Sequence, residues 1–295
     1  MYKEIALDPH CMSEYHYYAL LKSAFGFENG RYLIAPTKEW VREAYQSVKA
    51  SDIAPTKKKS VTNFLNKLQR DKANPFIVLP KDRADSTLQS GYENWLNWMT
   101  SQHSLRAFNA VVSEQAGAEH INYEQIIDGD TSWSIPPTLW IDKTEHNLLE
   151  VTVPLLNVGK DLIIADPYFK LPGNALLKAI LRRAIAAGVR SVSIVTTMDC
   201  SNLSGVFERE YQASMVDLPL VNYIRVPHGF IHDRYLLSDK AAIKAGQGFS
   251  TAPEKGLQSD RLSISLCGLE EYRETKACID EYQNKHPEMC TRLGE

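Results

Sequence analysis

No apolar run in this sequence approaches the roughly 20 residues that a membrane-spanning helix requires, and Met1-Tyr2-Lys3-Glu4 has no apolar leader core behind it. The expectation is therefore a soluble, cytoplasmic protein. Cysteine is sparse: five residues, at 11, 200, 267, 278 and 290, with no Cys-x-x-Cys pair. An odd, scattered set fits reduced thiols better than a disulfide framework. Cys278, His286 and Cys290 can be drawn as a metal site, but residues on a terminal helix are the commoner explanation, and neither metal nor cofactor is expected. There is no P-loop, and Gly246-x-Gly248 lacks the third glycine and the leading strand of a dinucleotide fingerprint. No internal repeat is evident. With a net charge of only −3, the chain as a whole is no electrostatic magnet for nucleic acid.

What is present is enough apolar material for a core, 44% of 295 residues, and length for one large or two small domains. The clearest break is Gly129-Asp130-Thr131-Ser132-Trp133-Ser134-Ile135-Pro136-Pro137. It suggests a mixed α+β N-terminal domain over 1–140, for recognition or partner binding, and a second domain over 141–295. In the first half, Tyr15 to Phe25 has helical spacing with Ser13 as a candidate cap. Thr37 to Val48 and Val61 to Gln69 read as helices capped by Thr37 and Ser60, and Leu88 to Phe108 as one longer helix. Arg31 to Ala35 and Phe76 to Leu79 read as strands. Asp8-Pro9-His10-Cys11 reads as a turn. Between Lys57 and Arg83 eight basic residues face two acidic ones. Lys57, Lys58, Lys59, Lys67 and Arg70 form a candidate nucleic-acid patch, although a solvated helix face is the commoner fate of such a run.

The second half alternates strand and helix. Strands are expected at 162–165, 192–196, 221–226, 235–237 and 262–266, with helices at 147–158, 175–187, 206–215 and 270–282. That pattern argues for an α/β sandwich with a largely parallel sheet. The closely spaced last strands require an antiparallel part.

The most informative stretch is His232-Asp233-Arg234, followed by Asp239 and then Gly246-Gln247-Gly248-Phe249-Ser250. In an extended strand His232 and Arg234 would share one face. A histidine and a fixed cation beside glycine amides suit a phosphodiester. Asp166-Pro167-Tyr168 and Thr196-Thr197-Met198-Asp199 end two earlier strands, where sheets of this kind build sites. His232-x-Arg234-x-x-x-x-Asp239 with its Gly-rich turn resembles the phospholipase D superfamily signature, His-x-Lys-x-x-x-x-Asp followed by Gly-Ser-x-Asn. Over residues 145–285 the chain more closely resembles the phospholipase D-like C-terminal domain of MIT-domain proteins. That resemblance is carried by Asp166-Pro167-Tyr168, Thr196–Asp199, Ile231-His232-Asp233-Arg234 and Ile243-Lys244-Ala245-Gly246-Gln247-Gly248. Residues 1–140 resemble no family. The chain departs from the catalytic pattern in having Arg234 for Lys and Gln247 for Ser.

The superfamily resemblance implies a phospholipase D-like mixed sheet sandwiched by helices. It also implies a metal-independent phosphodiesterase acting on DNA or RNA, possible as a bacterial defence effector. The chain has one motif copy, so two His232 residues would have to meet in a symmetric homodimer. His232, Arg234 and Asp239 would carry catalysis, with Asp239 holding Arg234 or the strand. Arg234, Gly246, Gly248 and Ser250 would bind phosphate, and Asp166, Tyr168, Thr197, Asp199 and Asp260 would support them. The MIT-type resemblance implies instead a non-catalytic module for phosphate groups, anionic lipid or a protein partner, the partner engaging residues 1–140. A third alternative is a buried polar network without a ligand.

Overall fold

Alternation of short apolar strands with amphipathic helices organises both halves of the chain. A computed structural model describes residues 1–71, 74–115, 117, 120–249 and 261–294. It divides into two units, Tyr2–Ile135 and Pro136–Glu295.

The N-terminal unit runs β1 (Lys3–Leu7), α1 (Tyr15–Ala24), β2 (Arg31–Ile34), α2 (Thr37–Ala50), α3 (Pro55–Arg70), β3 (Ile77–Val78), α4 (Lys81–Ser90), α5 (Trp95–Leu105), β4 (Ala110–Val112), β5 (His120–Ile121) and α6 (Tyr123–Ile127). Its sheet has the order β3-β2-β1-β4-β5, and every pairing is parallel. The unit is therefore α/β, not the expected α+β. Two of its strands, β2 and β3, fall within stretches read as strands, while β1, β4 and β5, of two to five residues, are too short to show a period. Asp8-Pro9-His10-Cys11 forms a turn, as read from the sequence, and opens a short 3₁₀ element. Asp8 caps it by accepting from the His10 amide, and accepts from Ser113 Oγ at 2.7 Å. Burial, followed by the Asp8 charge, pushes the Cys11 thiol up to about 12, so it is an inert core group.

Four helix boundaries differ from expectation. The stretch 88–108 is two helices, because Gly91 turns the chain at φ 78° and Asn94 caps α5 through the Asn97 amide. The third helix starts at Pro55, not after Ser60, since proline at the first position lacks only an amide that has no intrahelical partner anyway. Glu14 and Pro36, rather than Ser13 and Thr37, precede the first two helices.

A charged cluster is sealed into this unit. Arg83 is fully buried and reaches Glu4 Oε2 from Nε (3.0 Å) and from Nη2 (2.9 Å). It also donates to the carbonyls of Gln102 and Arg106, both at 2.8 Å, and stacks 4.0 Å from the Phe108 ring centroid. Arg106 completes the Glu4 carboxylate at 2.6 Å and binds Asp82. Arg83 is thus a core residue and no part of any surface patch.

The C-terminal unit runs β6 (Leu139–Asp142), α7 (Glu145–Val158), β7 (Asp161–Ala165), α8 (Ala175–Ala187), β8 (Ser191–Thr196), α9 (Leu203–Glu210), β9 (Leu220–Arg225), β10 (Arg234–Ser238), β11 (Ala242–Ala245), β12 (Arg261–Leu266), α10 (Leu269–Lys285) and β13 (Cys290–Leu293). The eight strands are ordered β13-β9-β8-β7-β10-β11-β12-β6. The β7, β8 and β9 strands are parallel. The meander β10-β11-β12 with β6, and the edge strand β13, are antiparallel. The sheet is mixed, as expected, but mostly antiparallel rather than largely parallel, because β6, β11 and β13, which the sequence did not reveal, all pair antiparallel. Alternate residues of the central strands, such as Leu162, Ile164, Val192 and Ile194, are buried at 0–1% exposure, so register is fixed by the core. Among the described residues no helix is long and apolar enough to cross a membrane.

Removing Arg83 leaves the Glu4 carboxylate buried with one partner fewer. Arg83→Leu is expected to cost about 3–5 kcal/mol in urea unfolding followed by tryptophan fluorescence, and Glu4→Leu added to it should recover most of the loss. A cost no larger than that of an exposed ion pair, about 1 kcal/mol or less, would contradict this role.

Candidate functional site

Asp166 follows β7 directly and is wholly buried. Its Oδ1 accepts from the Tyr168 amide at 2.9 Å, closing the Asp166-Pro167-Tyr168 turn, and its Oδ2 accepts from the Phe249 amide at 2.6 Å. The turn is held from the next strand as well. Thr197 Oγ1 (2.7 Å), Thr196 Oγ1 (3.1 Å) and the Thr197 amide (3.1 Å) all donate to the Pro167 carbonyl. The Gly-rich segment must come close for the Phe249 bond to form. A Cβ at Gly248 would sit 2.7 Å from Asp166 Oδ2, so no side chain fits there. Gly246, at the end of β11, would meet only the Ser263 hydroxyl, at 2.8 Å.

Arg234 is the first residue of β10. Tyr235 lies opposite Ala165 in the antiparallel register, which puts Arg234 opposite Asp166 one step further along. On its other side Arg234 pairs with Ala245, just before the Gly-rich turn. Its Nη1 donates to the His232 carbonyl at 2.9 Å. Its Nε is buried and has no hydrogen-bond partner among the described residues. Lys143, in the loop between β6 and α7, joins this group. Burial lowers its pKa, Asp166 acts to raise it, and Arg234 lowers it further. Lys143 thus feels both Arg234 and the Asp166 carboxylate, which is already engaged with two amides. Lys143 was not among the candidate residues. A lone lysine before a helix cap, here Thr144 binding the Asn147 amide, has no motif to mark it.

His232 is exposed and precedes β10, so it does not alternate with Arg234 along one strand as expected. The loop turns at Gly229, φ 85°, and His232 borders a hollow of about 270 Å3 that Asp233, Tyr235, Glu274 and Cys278 also line. Asp233 and Tyr235 belong to a separate network facing α10. Tyr235 Oη donates to Glu271 Oε1 (2.9 Å) and Asp233 Oδ2 (3.3 Å), and Lys244 Nζ donates to Glu271 at 2.9 Å. Burial disfavours the Glu271 charge, but its bonds from Lys244 and Tyr235 outweigh that and hold its carboxyl below the usual range. The Glu271 bond in turn raises Lys244. Burial, then the same carboxylate, pushes the Tyr235 phenol up.

The structure therefore gathers Asp166, Tyr168, Thr197, Arg234, Gly246 and Gly248 at one edge of the sheet. It separates two others. Asp239 stands at the opposite end of β10, a five-residue strand that spans about 16 Å. There it accepts from the Lys160 amide at 2.6 Å, holding the strand and not Arg234. Asp199 is mostly exposed and pairs with Arg225 at 2.8 Å. Ser250 and Asp260 lie outside the described residues. In the N-terminal unit, Lys58 Nζ donates to the carbonyls of Lys49 (3.1 Å) and Ser51 (2.5 Å), so its charge is spent on the end of α2. Lys57, Lys59, Lys67 and Arg70 remain on the surface. No group of His, Cys, Asp or Glu among the described residues has the spacing to hold a metal ion.

No protein family and no curated protein matches this sequence. Among solved structures the chain is similar to that of TrmBL2, described as an archaeal chromatin protein with a novel mode of DNA binding. It is 11% identical, with 95% of this chain and 93% of that chain covered and a TM-score of 0.31. A likeness at that score says nothing about fold or function.

The two glycines should respond differently to a single methyl. Gly248→Ala drives Cβ into the fixed Asp166 carboxylate and is expected to destabilise the C-terminal unit by about 1–3 kcal/mol. Gly246→Ala meets only a serine hydroxyl that can rotate, and should cost much less. Equal losses in thermal unfolding of the two variants would show that the Asp166–Gly248 approach is not the constraint.

Proposed function

We propose that the C-terminal unit is a phospholipase D-like phosphodiester-binding domain, and that its activity is metal-independent cleavage of nucleic-acid phosphodiesters in a two-fold dimer. One observation carries this reading: Arg234 has a buried and unpartnered Nε at the end of the central strands, opposite Asp166 and within electrostatic reach of the half-buried Lys143. Buried donors are normally hydrogen-bonded, so an unpaired guanidinium Nε beside a cluster of glycine amides calls for an acceptor. A phosphate group would offer oxygens to both cations, bidentate toward the planar guanidinium.

The chemistry follows from the residue types. His232 Nε2 or Nδ1 attacks phosphorus as a nucleophile, and the P–O bond to the leaving nucleotide breaks. The His232 of a second copy gives its proton to the departing oxygen. Water then attacks the phosphohistidine, its proton passing to that second imidazole, and both histidines are regenerated. Arg234 and Lys143 would stabilise charge on the non-bridging oxygens throughout. Asp166 keeps the Gly-rich turn close and Asp233 anchors the strand start, and neither touches substrate in this scheme.

The same two cations would serve a module that binds phosphate groups or anionic lipid without turning them over. The solitary, exposed His232 is the observation that favours this second reading. One experiment separates the two. The full chain is incubated with DNA and RNA in EDTA, and its dimerisation is checked by sedimentation. Cleavage is expected, abolished in His232→Ala and reduced about a hundredfold or more in Arg234→Ala. A folded dimer that cuts no nucleic acid tested, yet loses anion binding in Arg234→Ala, would establish the binding module instead.

A further inference from the structure

The basic run of the N-terminal unit is sorted by the fold. Arg83 is in the core, Lys81 pairs with Asp85, and Lys58 is tied to α2 carbonyls. Among the described residues, what is left lies along α3. Lys59, Lys67 and Arg70 are exposed and form no ion pair among the described residues. Lys57 lies over the Tyr15 ring, 5.0 Å from its centroid. Along α3, from Lys57 to Arg70, these charges extend over about 20 Å.

Aromatic rings run beside them. Tyr18 of α1 packs edge-on to Phe64 of α3 at 5.2 Å, and Phe64 is 5.8 Å from Phe76. All three are only half-buried. They form the floor of a groove of about 540 Å3, with Lys22 and Lys67 on its rim and Asn63 beside them. Lys22 lies 5.3 Å from the Tyr18 centroid. A second hollow continues from the first, sharing Asn63, Lys67 and the single carboxylate of Asp71, and adding Arg70, so that cations outnumber the acid along the face.

We propose that this α1–α3 face binds single-stranded nucleic acid, with bases stacked on Phe64 and Phe76 and phosphates held by Lys59, Lys67 and Arg70. The proposal deepens the nucleic-acid reading above and rests on it. Half-buried rings interleaved with unpaired cations are the two components of a sequence-tolerant single-strand platform. A solvated helix face would not need the rings. In a duplex the bases are stacked on one another, and their faces cannot reach a groove floor. Asn63 adds a donor and an acceptor for a base edge.

The test uses the full chain and a fluorescent oligothymidylate, read by anisotropy across a salt series. Two comparison probes are used: a duplex of equal length, and polyglutamate of equal charge as competitor. Single-strand binding is expected, stronger than duplex binding and poorly displaced by polyglutamate. Phe64→Ala should weaken it about 5- to 100-fold. Lys67→Ala with Arg70→Ala should weaken it and flatten the slope of log affinity on log salt by about 0.7 per lost phosphate contact. Hydrolysis of a small chromogenic phosphodiester should be unchanged in all of these variants. Phe64→Leu, which keeps the core volume but not the ring, guards against a folding artefact and should also weaken binding. Unchanged affinity in Phe64→Ala and in the double variant overturns the inference, whatever the outcome at His232. Equal displacement by polyglutamate overturns it too, since it reduces the face to bare charge. Loss of small-diester hydrolysis in Arg234→Ala with oligonucleotide binding intact leaves both readings standing.

Discussion

A single buried carboxylate, that of Asp166, holds together the edge of the sheet on which the candidate site depends. It accepts two backbone amides from segments more than 80 residues apart, those of Tyr168 and Phe249. A buried charge is tolerated only when it is hydrogen-bonded and balanced, and Asp166 meets both conditions through those amides and through Lys143 and Arg234 nearby. The arrangement also imposes its own sequence requirement, since the amide can reach the carboxylate only if residue 248 has no Cβ. The Asp-Pro-Tyr turn, the threonines that grip Pro167, the Gly-rich turn and the first residue of β10 are parts of one device.

Strand β10 then divides labour between its two sides. Arg234 contributes to the cationic edge. Asp233 and Tyr235 join Lys244 and Glu271 in a network that ties the sheet to α10. The His-Asp-Arg triplet is thus partly structural, and its middle residue is the structural one. At that end of the strands two cations, Arg234 and Lys143, are set against the one carboxylate of Asp166. The N-terminal unit sorts charge in the same way. It spends Arg83 and Arg106 on the buried Glu4 and Lys58 on helix-end carbonyls, leaving Lys59, Lys67 and Arg70 to solvent.

Much of the C-terminal fold was legible because its elements are long and periodic: Ala175–Ala187 has the bounds read from the sequence. The N-terminal sheet was legible only at Arg31–Ile34 and Ile77–Val78, because strands as short as Ala110–Val112 and His120–Ile121 carry no period. Gly91, a single residue at positive φ, was enough to divide one apparent helix in two. At the site, Asp166, Arg234 and Gly248 were visible as residues needed near one another. Asp239 was misplaced in part because chain distance from Arg234 does not show that a five-residue strand carries it away. Lys143 was invisible because its role comes from the pairing of β12 with β6, a contact across more than 100 residues.

The account stands or falls on whether Arg234 and Lys143 form one anion site. Titration calorimetry of the full chain with tungstate, a tetrahedral phosphate analogue, at low ionic strength measures this directly. The account predicts saturable binding that is lost in Arg234→Ala, weakened in Lys143→Ala, and preserved in Asp199→Ala. Binding that survives both cation substitutions, or a well-folded protein that binds no tungstate at all, would contradict it.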